Sequence, residues 1–201
     1  MANIVVRKAE NTDDYKKIAS CIYITDPFIY PVAFGVNIDR AVCAISKLMT
    51  IKNGLFHPDN VALAFYGKEV SGVLVYNKNG ATWNSNECIT AVQENIPSIE
   101  NFIYASDEYF VAEAVAPPTN HIEVIACSVM PKFRNMGVGK KLLNWLIQEY
   151  PEYTLTLDVL ANNQAAINLY KRCGFRIVEE IKGFSLKEEL RPDCYRMERR
   201  N

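Results

Sequence analysis

His121-Ile122-Glu123-Val124-Ile125-Ala126-Cys127-Ser128-Val129-Met130-Pro131-Lys132-Phe133-Arg134-Asn135-Met136-Gly137-Val138-Gly139-Lys140 is the stretch whose reading decides the fold. Between Ile122 and Val129 only Glu123 and Ser128 break an apolar run, the pattern of a strand covered on both faces rather than of an amphipathic edge. Pro131 then ends the ladder, because it has no N–H to donate. From Val138 onward Leu142, Trp145, Leu146 and Tyr150 recur at helical spacing, and Pro151 stops the helix at Tyr150. Gly137 and Gly139 therefore fall in the first helical turn. Glycine there permits close approach to the backbone, while unpaired amides and the helix dipole favour an anion, aided by Arg134, Lys140 and Lys141. Phosphate is the natural guest.

Two familiar phosphate loops do not fit. A Walker A loop requires glycine where Arg134 stands and Ser or Thr where Lys141 stands, and a dinucleotide fingerprint requires glycine where Leu142 stands. What remains is Arg134-x-x-Gly137-x-Gly139 after a strand and opening a helix, with Val129-x-Pro131-x-x-Arg134 ahead of it. This closely resembles the acetyl-CoA signature of the GNAT superfamily of N-acetyltransferases. A second run, Leu157-x-Val159-x-x-x-Asn163-x-x-Ala166-Ile167-x-Leu169-Tyr170-x-x-x-Gly174-Phe175, resembles the second GNAT motif and follows the first at the expected distance. Together they span residues 121–175; in the amino-terminal half the resemblance lies only in the order of elements.

The resemblance implies an α/β (α+β) fold, a mixed central β-sheet with helices on both faces. Two adjacent parallel strands, here ending near Val129 and Leu160, splay apart and hold CoA, with pantetheine in the wedge. It implies acetyl-CoA as co-substrate. The cofactor-binding positions carried over are the strand end Cys127, Ser128 and Val129, the turn Arg134, Asn135, Met136, Gly137, Val138, Gly139 and Lys140, and Asn163 with Ala166. By itself the sequence shows strand, helix, strand, helix with short connections, compatible with a right-handed crossover between parallel neighbours.

At 201 residues, 49% hydrophobic and 22% charged, the chain suits a single domain with a sizeable core, read as residues 1–201 with a helical insertion near 79–119. A net charge of -1 and a pI near 6.2 give no global basic field for nucleic acid. The six cysteines form no C-x-x-C pair and no signal peptide precedes them, so reduced thiols in a cytoplasm are expected. With His57 and His121 far apart there is no zinc-like spacing, and no apolar run spans a bilayer, so neither metal nor membrane is expected.

Ile4 to Arg7 reads as a strand, and Asn11-Thr12-Asp13-Asp14 supplies caps for a helix through Tyr15, Ile18, Ala19 and Ile22. Residues 26–36, with two prolines and no clean period, read as a loop, and Ala41 to Met49 as a helix face. Val61–Tyr66 and Val70–Tyr76 form a hairpin signal around Gly67-Lys68-Glu69. Helices are expected near Glu87 to Gln93 and Ser98 to Ala114, the latter ended by Pro117-Pro118. Tyr153 to Leu160 reads as a strand; a helix capped by Asn162 or Asn163 then ends at Gly174. Phe175–Ile181 and Cys194–Glu198 close the chain as strands, whose edge is open to pairing across a homodimer.

An alkyl ammonium has no lone pair at neutral pH, so acetylating a primary amine needs a proton acceptor. Glu123 is the candidate: it interrupts an apolar strand, where desolvation raises a carboxyl pKa, and it matches the position of a glutamate that acts as base through water in some family members. The plainer alternative is a carboxylate paired with a cation or a backbone donor. Tyr170 occupies the position of the family's frequent general acid, which would protonate the departing thiolate; the alternative is a helix aromatic packed on the sheet. The Val129 N–H, unpaired where strands separate, would polarise the thioester carbonyl. Asn163 either bonds the cofactor, holds the strands apart or caps a helix, and Cys127, without a basic partner nearby in sequence, reads as a structural thiol. His121 receives no role.

From Asn79 through Pro131 there is no Lys or Arg, while Glu87, Glu94, Glu100, Asp107, Glu108, Glu113 and Glu123 are acidic. This suggests an acceptor site for a cationic amine, or else a solvated helix face. Phe28, Tyr30 and Phe34 either line that site or staple a loop to the core. The expected activity is transfer of an acetyl group from acetyl-CoA to a small-molecule or peptide primary amine, by direct attack in a ternary complex. Different readings of the same residues are a noncatalytic CoA-binding or regulatory module, and an acyltransferase with a longer acyl donor or a protein amino terminus as acceptor.

Overall fold

The computed structural model describes residues 3–78, 81, 85–110, 120–183, 185–186, 189–190 and 192–200. Strand β1 (Ile4–Lys8) leads to helix α1 (Tyr15–Tyr23), whose N-cap Asp14 accepts the Lys17 N–H. The expected loop over 26–36 instead contains a short helix, α2 (Ile29–Phe34). Its cause is local. Asp26 Oδ1 accepts the N–H of Phe28 at 2.8 Å and of Ile29 at 2.9 Å, and Pro31 sits in the first turn, where a missing N–H removes no helical bond. Tyr30 and Phe34 are buried and meet Phe56 and Phe102 edge to face, so these aromatics belong to the core. Helix α3 (Ile38–Leu48) follows, capped by Asn37.

Strands β2 (Val61–Tyr66) and β3 (Glu69–Asn77) pair antiparallel across the expected turn. Ser85 caps α4 (Asn86–Val92), and Ser98 Oγ accepts the Asn101 N–H at the start of α5 (Ile99–Phe110). The expected continuation to Ala114 and the stop at Pro117-Pro118 lie outside the described residues. Next come β4 (His121–Val129), a 3-10 turn (Pro131–Phe133), α6 (Val138–Glu149), β5 (Thr154–Leu160), α7 (Gln164–Arg172) and β6 (Arg176–Ile181). A two-stranded hairpin, β7 (Ser185–Leu186) and β8 (Glu189–Leu190), precedes β9 (Cys194–Arg199).

The main sheet runs β1-β2-β3-β4-β5-β9-β6, antiparallel throughout except for the β4–β5 pair. It separates two apolar clusters. Val61, Leu63, Val73 and Val75 point into one, with residues from α1 to α5, including Cys88, Val92, Phe102 and Ala105 from α4 and α5. Ala62, Ala64, Leu74 and Tyr76 point into the other, with α6 and α7. The alternation follows from the period of two along a strand.

The feature that positions the site is where β4 and β5 stop pairing. Their register is His121 to Thr154, Ile122 to Leu155 and Glu123 to Thr156, and it ends there although both strands continue. A bulge lies just beyond. Against β3, Ala126 stands opposite Val75 and Val124 opposite Tyr76, which leaves Ile125 as the extra residue. A bulge bends its strand and shifts the facing of the residues beyond it. Ile122 and Val124 therefore share the α6–α7 face with Cys127 and Val129, while Ile125 and Ala126 pack on the other side.

Candidate active site

The connection from β4 to α6 forms a cradle of N–H groups. Met130 N donates to Ser71 O at 3.0 Å, so the alternation of an antiparallel ladder turns the Val129 N–H away from β3, toward the side from which β5 has withdrawn. Asn135 and Gly137 both take left-handed backbone, at φ 63 and 84, which turns successive peptide groups inward as in an anion nest. Gly137 offers no capping side chain. With Lys141 N bonded to Gly137 O at 3.0 Å, the N–H groups of Val138, Gly139 and Lys140 precede the first helical bond. By contrast α1, α3, α4 and α7 each start on a capping side chain.

Arg134, Asn135, Met136, Gly137 and Lys140 are exposed, and no carboxylate occurs between Met130 and Lys141. Arg134 Nε reaches back to the Val129 carbonyl at a long 3.4 Å, holding the guanidinium over the strand end. Donors, dipole and fixed cations without an anion fit a pyrophosphate. The two glycines divide the work. Around Gly137 nothing lies within 4 Å of where a Cβ would stand, whereas a Cβ on Gly139 would meet Leu169 Cδ2 at 2.9 Å. Gly139 therefore lies against the tip of the Leu169 side chain of α7, which would have to give way to a Cβ, a closeness its sequence position did not disclose.

On the α6–α7 face of the sheet, α7 places Tyr170 beside Cys127 and Cys173, with its ring 5.9 Å from that of Phe175. Its hydroxyl has no hydrogen-bond partner among the described residues. Burial raises its pKa above the ordinary phenol value, and the neighbouring Cys127 and Cys173 raise it further, so it keeps its proton at neutral pH. Burial likewise pushes the Cys127 thiol up to about 12, which suits a structural thiol and not a nucleophile. Asn163 is the N-cap of α7: its Oδ1 accepts the Ala166 N–H at 3.2 Å, so those two groups are engaged with each other.

Glu123 stands at the closed end of the wedge, on the opposite face from Tyr170. It lies in one row with Asn77 on β3, Thr156 on β5 and Glu198 on β9. Thr156 Oγ1 meets His121 Nε2 at 2.8 Å, and Arg196 grips Asp158 with two bonds of 3.0 Å. Burial lowers the His121 pKa, with Glu198 raising it and Arg196 lowering it, so the imidazole is neutral at pH 7. Sequence reasoning passed over Thr156 and His121. Their shared facing with Glu123 was present in the period of two, but the partner strand was needed to see it. Of the acidic run, Glu94 pairs with Lys47 at 3.7 Å, and Glu113 lies outside the described residues, as do the side chains of Asp107 and Glu108.

Among the described residues no helix is long and apolar enough to cross a membrane, and no group of three or more His, Cys, Asp or Glu side chains is arranged to hold a metal. The site is thus a mixed sheet whose one parallel pair opens beside an uncapped basic helix start. The chain belongs to the acetyltransferase (GNAT) family, whose pattern it matches over residues 47–175. Its fold is similar to an N-acetyltransferase from Staphylococcus aureus, at 18% identity, 96% of this chain, 99% of the other and a TM-score of 0.63. It is also similar to a Bacillus subtilis acetyltransferase in complex with CoA, at 15% identity over 99% of both chains with a TM-score of 0.57. A GNAT acetyltransferase from Elizabethkingia anophelis with acetyl-CoA bound matches at 16% identity over 99% of both chains, TM-score 0.57.

Proposed function

We propose that the protein is an acetyl-CoA-dependent N-acetyltransferase that moves an acetyl group to a primary amine by direct attack in a ternary complex. The observation that carries this reading is the opening of β4 and β5 beyond Glu123. It joins a face bearing Glu123 to a face bearing Tyr170, with the Val129 N–H turned into the gap. Acetyl-CoA, which the Elizabethkingia protein holds and whose CoA part the Bacillus subtilis protein holds, supplies an activated thioester. The chain's own groups do the rest. The N–H groups of Val138, Gly139 and Lys140 hold the pyrophosphate, with Arg134 beside them. The Val129 N–H donates to the carbonyl oxygen as it gains negative charge. Glu123 takes the ammonium proton, directly or through water, and the free amine forms the C–N bond; as the C–S bond breaks, the Tyr170 O–H protonates the departing sulfur and the second proton shed by the nitrogen restores the phenol.

No Lys or Arg occurs from Asn79 to Pro131, which favours a cationic amine, while Glu198 and Asp158 on the face of Glu123 are balanced by Arg200 and Arg196. The test is release of free thiol from acetyl-CoA with a panel of polyamines, amino acids, aminoglycosides and peptides. Thiol should appear together with acetylated amine on at least one acceptor. CoA binding without turnover on any acceptor would instead leave the noncatalytic module.

A further inference from the structure

A cavity of about 330 Å³ opens between the turn from α2 into α3 and the turn from α4 into α5, and no strand or cradle residue lines it. Its walls are held in place from three directions. Tyr23 Oη donates to Gly35 O at 2.7 Å. Gly35, at φ 82, packs so closely on Pro97 that a Cβ would meet the proline Cδ at 3.0 Å. Arg40 Nη2 donates to Glu94 O at 2.9 Å, tying the first turn of α3 to the opposite turn. Such a cavity exists before any ligand arrives, and its volume falls at the small end of the ligand range of roughly 300–1,000 Å³.

The lining combines an apolar body with donors. Pro31, Phe34, Val36 and Pro97 supply the apolar wall, and Val36 is 85% exposed at the rim, an apolar side chain that a ligand body would cover. No carboxylate lines the cavity. Arg40 commits one of its five N–H groups to Glu94 O, and Asn37 Oδ1 already accepts the Arg40 N–H, so Asn37 has its amide nitrogen left to donate. Asn95 adds a third donor: its Nδ2 is buried with no hydrogen-bond partner among the described residues. An unpaired buried amide is unfavourable, and its terminal torsion is soft enough to turn toward an incoming acceptor.

We infer that this cavity is a binding site for a small monocarboxylate with an aliphatic or aromatic body, separate from the acetyl-CoA wedge. The carboxylate meets Arg40 and Asn95, and the body lies on Val36 and the prolines. Backbone amide shifts of the full-length wild-type protein, titrated with benzoate, benzamide and benzylamine, provide the test, since the three probes share a ring and differ in charge. Benzoate should produce saturable shifts centred on Gly35, Val36 and Asn95, benzamide should bind at least about fivefold more weakly, and benzylamine should not saturate. Asn95→Asp keeps the shape and replaces a donor by a negative charge, and it should weaken benzoate by a similar factor. Three outcomes would overturn the inference. They are equal binding of benzylamine, benzoate shifts centred on the β4–α6 turn, and no saturation with benzoate at tens of millimolar. The wild-type comparison decides the matter even if the Asn95 variant folds poorly, and it does not depend on whether acetyl transfer occurs.

Discussion

The Tyr170 side chain is buried and its hydroxyl has no partner among the described residues, so removing the hydroxyl deletes no internal hydrogen bond there. Tyr170→Phe should therefore melt as the parent does, within about 1 kcal/mol, while kcat for acetyl transfer falls by about a hundredfold and the KM for acetyl-CoA stays put. A stable variant with full turnover would leave Tyr170 as a packing residue. Glu123→Gln keeps the size of the side chain and loses the proton acceptor; the rate should fall by about 10²-fold or more and the acidic limb of the pH–rate profile should disappear. An unchanged profile would remove Glu123 from the proton path. At this scale the sequence was informative about identity and silent about company. Glu123 was visible as a carboxylate in an apolar strand, but its row with Thr156 and Glu198 depends on strands that lie more than thirty residues away in the chain.

At the scale of elements, the start of α6 carries the sharpest contrast. Gly137→Ala forces an L-residue to φ 84, at about 1–2 kcal/mol, and should lower both the melting temperature and CoA affinity because the cradle amides turn with that residue. Gly139→Ala meets only the end of the flexible Leu169 side chain and regains about 1 kcal/mol of helix propensity, so its stability should change little. Thermal melts of the two variants with and without CoA separate the roles. Helices α6 and α7 were legible because glycine, proline, Asn163 and an apolar period mark them within one window. Helix α2 was not legible, since prolines obscured its period and the cap comes from Asp26, three residues ahead of its first helical residue.

Across the whole molecule, burial raises the pKa of Tyr30, Tyr76 and Tyr170 above the ordinary 10.0, and those of the Cys21 and Cys127 thiols from 9.0 to about 11 and about 12. The unfolded chain releases these protons near the ordinary values, whereas the folded chain keeps them. Above about pH 9 the native state binds more protons, and stability must fall as pH rises; below that the contribution is constant. Urea unfolding from pH 7 to 11 should show this decline, and a flat profile would mean that these groups are not shielded. The sequence by itself determined the glycine turn that opens α6, helices α6 and α7 and the family resemblance, because each rests on residues within one short window whose backbone chemistry is local. Tertiary structure alone decided that the parallel pair opens just past Glu123, that a bulge at Ile125 turns Cys127 and Val129 toward α7, and that Glu123 and Tyr170 approach the gap from opposite faces. The physical reason is register: a one-residue bulge exchanges the two faces of a strand, and only the pairing with a distant strand reveals where that residue falls.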